Sequence, residues 1–368
     1  SSERRACCTR ERAVRSTGRS LSAGESLHGD GHYLPTANDA AIWQQHPGGL
    51  HNAVYGTVLR QTTDGETGAV TTTDIEGATL FMRPAPVRFP SEYLAELREK
   101  GFTLLDNLMT SDEVVRLKGD VANRIARNEQ KNDGRLGVGD GVTWSVDVAR
   151  VVTHPVALWL MQTYLGTNAI HYCHPPSVTC MRPAKELLGK FPPLGWHTDY
   201  PYHPGVLERE RWGDDQPLGV QYNICVDEFR ADNAATQYLP DSFALRQWPT
   251  EEFNTGGTRM GKGVHKDVEQ MTAPSGSALV YDSRTWHRAC DELNVSGEDR
   301  VAILNAVTPS WVLPMVDKTM SAKNYTIAET DNRLTIRERK DVKRLCHAKT
   351  RKPPKGAPTV KHPERRLG

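Results

Sequence analysis

Nowhere does this 368-residue chain run to the roughly 18 consecutive apolar residues that a membrane helix needs, so no membrane partner is expected. Cysteine is thin as a framework. The seven present, Cys7, Cys8, Cys173, Cys180, Cys225, Cys290 and Cys346, are odd in number and dispersed, which excludes the paired spacing of a small secreted scaffold and points to a reducing compartment. A strong net charge is missing too, because 46 Lys and Arg offset 45 Asp and Glu. Hydrophobic residues reach 38%, low for a globular protein yet well above a disordered composition. A cytoplasmic location is the expectation, with organelle targeting by the Arg- and Ser-rich N-terminus left open.

The balanced charge hides an asymmetry. Residues 1–20 hold six Arg against two Glu, and residues 332–368 hold thirteen Lys or Arg against three acids, leaving −13 for the body of a chain whose total is +1. Basic tails of this kind meet anionic partners in some proteins and are solvated in most. Solvation is the expectation here, and nucleic acid is not expected as a partner. Lys352-Pro-Pro-Lys-Gly-Ala-Pro358 is incompatible with regular helix or strand. The chain thus divides into a weakly ordered N-terminal extension (1–50), one domain (51–331) and a basic, Pro-containing C-terminal tail (332–368). All-β enzymes often exceed the average domain length, so one core is preferred to two.

Inside the domain, helical spacing comes first. Tyr93, Leu94 and Leu97 predict a helix over 90–100, stopped by Gly101; Val114, Val115, Leu117, Val121 and Ile125 predict another over 111–128, with Thr110 or Ser111 as N-cap. Pro155 and Gly166 bracket a third, over 155–165. A hairpin turn is expected at 62–68, between strands over 54–59 and 69–73. Short β-rich runs then dominate, at 177–181, 219–226, 236–239, 278–281 and 301–308. Helices followed by many short strands define a mainly β fold with flanking helices, a double-stranded β-helix of the jelly-roll or cupin kind.

Three residues in this background carry chemistry. His197 and Asp199 stand two apart in Gly195-Trp-His-Thr-Asp-Tyr-Pro-Tyr-His203, so on a strand both would point to one face. His287 recurs downstream in Tyr281-Asp-Ser-Arg-Thr-Trp-His287. Two imidazoles and a carboxylate make a facial triad for Fe(II), with open positions on the other side of the metal. Arg300, thirteen residues beyond His287, opens a run that reads as a buried strand. Its planar fork suits the far carboxylate of 2-oxoglutarate; the alternative is an ion pair with Asp291, Glu298 or Asp299. A rival zinc set, His171, Cys173, His174 and Cys180, has poor geometry, because Pro175-Pro176 breaks the run.

Four blocks in order, Lys100–Asp106 with the helix start at Thr110, Trp196–Asp199, Asp232–Ser242, and Pro274–His287 with Arg300, resemble the phytanoyl-CoA dioxygenase family over residues of about 90–314. The resemblance implies a non-haem iron dioxygenase with Fe(II) on His197, Asp199 and His287, 2-oxoglutarate on Arg300, and O2 as the oxidant. Two departures stand out. Phe243 replaces a histidine frequent after Pro-Gly-Ser in the family, and Ala302 replaces a frequent serine that donates to the co-substrate. Aspartate at 199, in place of the small residue of related halogenases, disfavours halogenation.

The function expected is oxidation, foremost hydroxylation, of an unactivated C–H in a small-molecule metabolite of a specialised biosynthetic pathway, releasing succinate and CO2. Trp196, Tyr200, Tyr202, His203 and Trp286 are the candidate substrate residues, and 200–216 the candidate lid. Alternatives are an acyl-CoA hydroxylase, a nucleic-acid- or protein-directed oxygenase, and a non-catalytic roll-fold binding protein. Oligomeric state is left open.

Overall fold

The computed structural model describes residues 60–63, 70–73, 86, 88, 90–128, 135–183, 195–212, 216–251, 253, 267–288, 294–315, 334 and 336–346. The expected strand over 54–59, the extension 1–50 and the Pro-rich stretch 352–358 lie outside them. The helices come largely where periodicity puts them: α1 is Pro90–Lys100, α2 Ser111–Asn128, α3 Val146–Val152 and α4 Pro155–Tyr164. Gly101 ends α1 at φ 69°, a left-handed conformation natural to glycine, and a Cβ there would meet the Phe243 ring at 2.3 Å. Thr110 is the cap of α2. Its Oγ1 accepts from the Glu113 amide at 3.1 Å and the Glu113 carboxylate accepts from the Thr110 amide at 2.8 Å, a reciprocal capping box.

The strands form one large and two small sheets. β1 (Arg60–Thr63) and β2 (Val70–Thr73) make an antiparallel hairpin. The main sheet orders β3 (Phe102–Leu105), β10 (Ser277–Asp282), β7 (Val220–Cys225), β12 (Arg300–Leu304), β6 (Ser177–Met181) and β4 (Arg135–Asp140), with β13 (Ala306–Pro309) joining β7 to β5 (Ile170–Tyr172). Opposite it, β11 (His287–Arg288), β8 (Gln237–Tyr238) and β9 (Glu269–Gln270) form a three-stranded sheet. The pairings between these strands are antiparallel, as a jelly roll requires.

Alternation along the strands separates two cores. Val178, Cys180, Tyr222, Ile224, Ala278, Val280, Val301 and Ile303 point outward, where they pack with the helices. Cys225, Leu279, Tyr281 and Ala302 point inward, against Phe229, Ala235, Met271 and Ala273. The helices therefore buttress one face of the main sheet, and the other face encloses the interior of the roll. Four described cysteines, Cys173, Cys180, Cys225 and Cys346, are buried as thiols. Burial, with the nearby Asp299 charge, pushes the Cys180 thiol up to about 12, and burial raises Cys225 as well. Alkylation at neutral pH should leave all four unlabelled in native protein and label them in denaturant; peptide mapping that finds native Cys225 modified would show that the interior opens.

Two stretches differ from expectation, and one, α3, falls where the sequence reading placed no element. α3, Val-Asp-Val-Ala-Arg-Val-Val, is buried along its whole length; its valines favour strand locally, and the Ser145 cap, which accepts from the Val148 amide at 3.3 Å, together with tertiary burial makes it helix. The expected single strand 301–308 breaks at Asn305. There the chain leaves β6 as a partner and takes up β5, while both halves stay on β7. The third is α5 (Ile336–Cys346), inside the tail expected to be solvated. Leu334, Val342, Leu345 and Cys346 bury against the helical core, an apolar stripe that the surrounding charge masks when composition alone is read.

Candidate metal centre

His197 does not sit on a regular strand. It forms an isolated antiparallel bridge to His287, with each amide donating to the other residue's carbonyl at 3.1 Å. The Asp199 amide donates to the Ser283 carbonyl at 2.7 Å, so the turn that leads into β11 also holds the strand-like segment carrying the carboxylate. Between the two, Thr198 is buried and donates its hydroxyl to the Tyr202 carbonyl at 2.7 Å. The expectation that residues 197 and 199 share a face while 198 faces away thus holds on a bridge in place of a strand.

The ligand atoms converge. His287 Nε2 lies 3.0 Å from Asp199 Oδ2, His197 Nε2 lies 3.9 Å from Oδ1, and the two rings stand 4.4 Å apart. One donor atom from each residue falls within 4.8 Å of the others. Both Nδ1 atoms are engaged by backbone carbonyls at 2.9 Å, His197 with Gly195 and His287 with Thr285. A carbonyl can only accept, so Nδ1–H donates in each ring, which leaves each Nε2, once deprotonated, with its lone pair for a metal, as in metal-binding histidines generally. Burial opposes the charge of Asp199, but the His287 ring next to it prevails and holds the carboxylate near a pKa of about 2. His287 is raised: burial works against its charge, and Asp199 outweighs burial. His197 is lowered by burial and by the His287 charge. The donor set, a charged carboxylate and two imidazoles aimed at a common point, fits a divalent iron ion.

Arg300 begins β12 and is buried at 6% exposure. Its guanidinium carbon lies 3.8 Å from the centre of the Phe229 ring, which holds the fork flat on the inner face. Of the acidic partners in the alternative reading, Asp299 pairs with Arg182 at 3.2 Å and Asp291 lies outside the described residues. Between Arg300 and the triad, Asn223 donates to the Tyr281 hydroxyl at 3.0 Å, and the Tyr281 ring stands 5.0 Å from that of His287. Asn223 and Tyr281 escaped sequence reading; alternation from Tyr222 and Val280, once those were assigned outward, is the signal that finds them.

The candidate substrate residues separate into two groups. Trp196, Tyr202 and Trp286 are buried within an aromatic cluster. Trp196 and Trp286 each pack on Phe253 at 5.0 Å, Tyr202 packs on Trp212 at 4.9 Å, and the Trp286 indole donates to the Gln247 carbonyl at 2.7 Å. Tyr200 and His203 are half-buried, with rings 6.4 Å apart. The Tyr200 hydroxyl donates to the Leu313 carbonyl, and His203 is close enough for its charge to act on both His197 and Asp199. In the rival zinc set, Cys180 packs in the helical core and His174 is half-buried; among the described residues the three-donor group is the His197–Asp199–His287 one.

Roll, triad and buried arginine together define a non-haem iron oxygenase-type enzyme. The model of the phytanoyl-CoA dioxygenase (PhyH) family matches residues 97–302, more than half of the chain, and the protein belongs to that family. Its cofactor set is accordingly Fe(II), 2-oxoglutarate and O2. Among solved structures the chain is similar to the non-heme alpha ketoglutarate dependent epimerase SnoN from nogalamycin biosynthesis, at 14% identity over 60% of this chain and 83% of that one, with a TM-score of 0.43. SnoN in complex with Fe3+, alpha ketoglutarate and nogalamycin RO gives 14%, 60%, 84% and 0.42. No curated protein matches. No helix among the described residues is long and apolar enough to cross a membrane.

Proposed function

We propose that His197, Asp199 and His287 hold the iron, that Arg300 anchors the distal carboxylate of 2-oxoglutarate, and that the enzyme hydroxylates an unactivated C–H of a small-molecule metabolite. The observation that carries this reading is the convergence of two Nε2 atoms and one carboxylate within 4.8 Å. Bound there, iron supplies dioxygen activation coupled to decarboxylation of the keto acid to succinate and CO2. The chain's own residues bind, orient and shield. Thr285 and Gly195 carbonyls fix the imidazole tautomers, Phe229 sets the plane of Arg300, and the inward cluster around Leu279 and Ala302 keeps water away from the keto acid. Such positioning is what a protein contributes when the cofactor carries the chemistry.

For the substrate, the segment from Tyr200 to Trp212 holds two Glu and two Arg. Its formal charge is zero, which does not favour the phosphates of an acyl-CoA. The basic helix α5 packs on the helical side of the main sheet, away from its inner face. Tyr200 and His203, half-buried beside the triad, suit a neutral, partly aromatic or polar small molecule, in keeping with specialised biosynthesis. Full-length protein titrated anaerobically with Fe(II) and 2-oxoglutarate should develop the weak visible band of the iron–keto acid chelate. His197→Ala should abolish the band. Arg300→Ala should need at least ~30-fold more keto acid, since losing one partner of a buried charge pair costs about 2 kcal/mol or more. A wild-type protein that binds iron and gives no band would overturn the 2-oxoglutarate assignment at these residues.

A further inference from the structure

Apolar side chains stand in solvent at alternate positions of one short segment. Trp311, Leu313 and Met315, just past β13, are 62%, 71% and 48% exposed, although tryptophan is among the side chains that folds cover most thoroughly. Backbone contacts hold the segment in place. The Ser310 amide donates to the Ala169 carbonyl at 2.7 Å, the Met315 amide donates to the Cys173 carbonyl at 2.9 Å, and the Leu313 carbonyl accepts from the Tyr200 hydroxyl. Tyr200 directly follows Asp199, so the ridge borders the metal centre. Exposed apolar side chains gathered in this way mark a contact surface.

A cationic face adjoins the ridge. Arg344 of α5 donates to the Asn168 carbonyl at 3.4 Å, and the next residue in the chain, Ala169, supplies the carbonyl that holds Ser310. Among the described side chains of α5, those that are not buried are Arg339, Lys340, Lys343 and Arg344. The two acids, Glu338 and Asp341, turn inward at 2% and 7% exposure. The outer face of the helix is thus of one sign on a chain whose body is acidic, and an anionic partner is drawn to this side of the molecule.

Ridge and face together fit a bilayer surface. Trp, Leu and Met enter the boundary between headgroups and acyl chains, while Lys and Arg meet the phosphates. A peripheral contact of this kind needs no spanning segment. Single-stranded nucleic acid fits less well, because its bases stack on aromatic planes and Leu313 and Met315 offer none. A second copy docking through the same patch would bring two cationic faces together.

We propose that Trp311, Leu313, Met315 and the outer face of α5 form a peripheral docking site for an anionic lipid bilayer, and that docking brings the Tyr200 edge of the metal centre to the lipid. The site does not depend on the reaction proposed above. Full-length protein at low salt should co-sediment with vesicles of equal parts phosphatidylcholine and phosphatidylglycerol, and not with vesicles of phosphatidylcholine alone. Lys340→Gln with Lys343→Gln should lower partitioning ~30-fold, since each cation at an anionic surface contributes about fivefold. Trp311→Ser with Leu313→Ser should lower it at least ~10-fold, the size of one buried apolar side chain. Trp311→Phe should keep most of the binding and lose most of the fluorescence quenching by brominated lipid.

The substituted side chains lie on the surface, so melting curves of these variants should match wild type. Absence of binding to the anionic vesicles overturns the proposal. So does equal binding to both kinds of vesicle, or binding that the variants leave unchanged, which would belong to other basic segments of the chain. A dimer in sedimentation velocity that Trp311→Ser with Leu313→Ser dissolves would show that a second copy covers the ridge, and overturns it as well.

Discussion

Asp199→Ala should lower Fe(II) affinity by more than ~100-fold, beyond the 10–100-fold typical of losing an outer-shell partner of a ligand, and turnover should vanish with it. The reason lies in the charge of the centre. Asp199 is the single carboxylate of the described three-donor group, with its pKa lowered to about 2, so it stays an anion throughout the physiological range and would offset half of the metal's charge. Without it, two neutral imidazoles face the ion. The variant also removes the charge that raises His287, so His287 becomes easier to deprotonate and proton competition cannot explain the loss. The fold should persist, because the contact that secures this segment is the Asp199 amide to the Ser283 carbonyl, which alanine retains. Isothermal titration with Fe(II) under anaerobic conditions, paired with a melting curve of the metal-free protein, separates the two effects. Iron affinity within tenfold of wild type would remove Asp199 from the ligand set.

Much of this architecture is readable from local pattern, and what is not readable depends on pairing between distant strands. The capping residues Thr110 and Glu113 and the strand Ser177–Met181 announce themselves through side-chain chemistry and two-residue alternation. The triad is readable because its residue types have few other reasons to recur in that spacing. α3 is not, since Val146–Val152 has a strand's composition and becomes helical only through its cap and burial. α5 hides an apolar stripe of Val342, Leu345 and Cys346 within a basic run. The register of the inner wall is hidden for a different reason. Thr179 stands opposite Ala302, and no local signal states which residues of β6 and β12 meet. The ring contacts of Trp196 and Trp286 with Phe253 and of Tyr202 with Trp212 are likewise set by chain segments far apart in sequence and carry no local signal.

Arg284→Met should be the most destabilising single change outside the hydrophobic core. Arg284 and Asp282 are 6% and 0% exposed in their side chains and pair at 2.7 Å. Asp282 also accepts the Arg284 amide at 2.7 Å and the Tyr164 hydroxyl at 2.7 Å, tying the end of β10 to α4. Methionine fills similar space but strands a fully buried carboxylate. Removing one partner of such a pair costs about 3–5 kcal/mol, or roughly 10 °C in Tm for a domain of this size. Asp282→Asn added to the same chain should recover part of the loss, because the uncompensated charge is gone while the Asn carbonyl still accepts. The turn from Ser283 to Trp286 carries the Asp199 contact and leads into His287, so Arg284→Met should also weaken iron binding without touching a ligand. Thermal melts of the metal-free protein, run with and without saturating Fe(II), test both parts. A Tm within a few degrees of wild type, or a double variant less stable than Arg284→Met, would mean that the pair is not what anchors this turn. Equal stabilisation of variant and wild type by iron would confine the effect to the fold and exclude a link from α4 through Asp282 to the metal site.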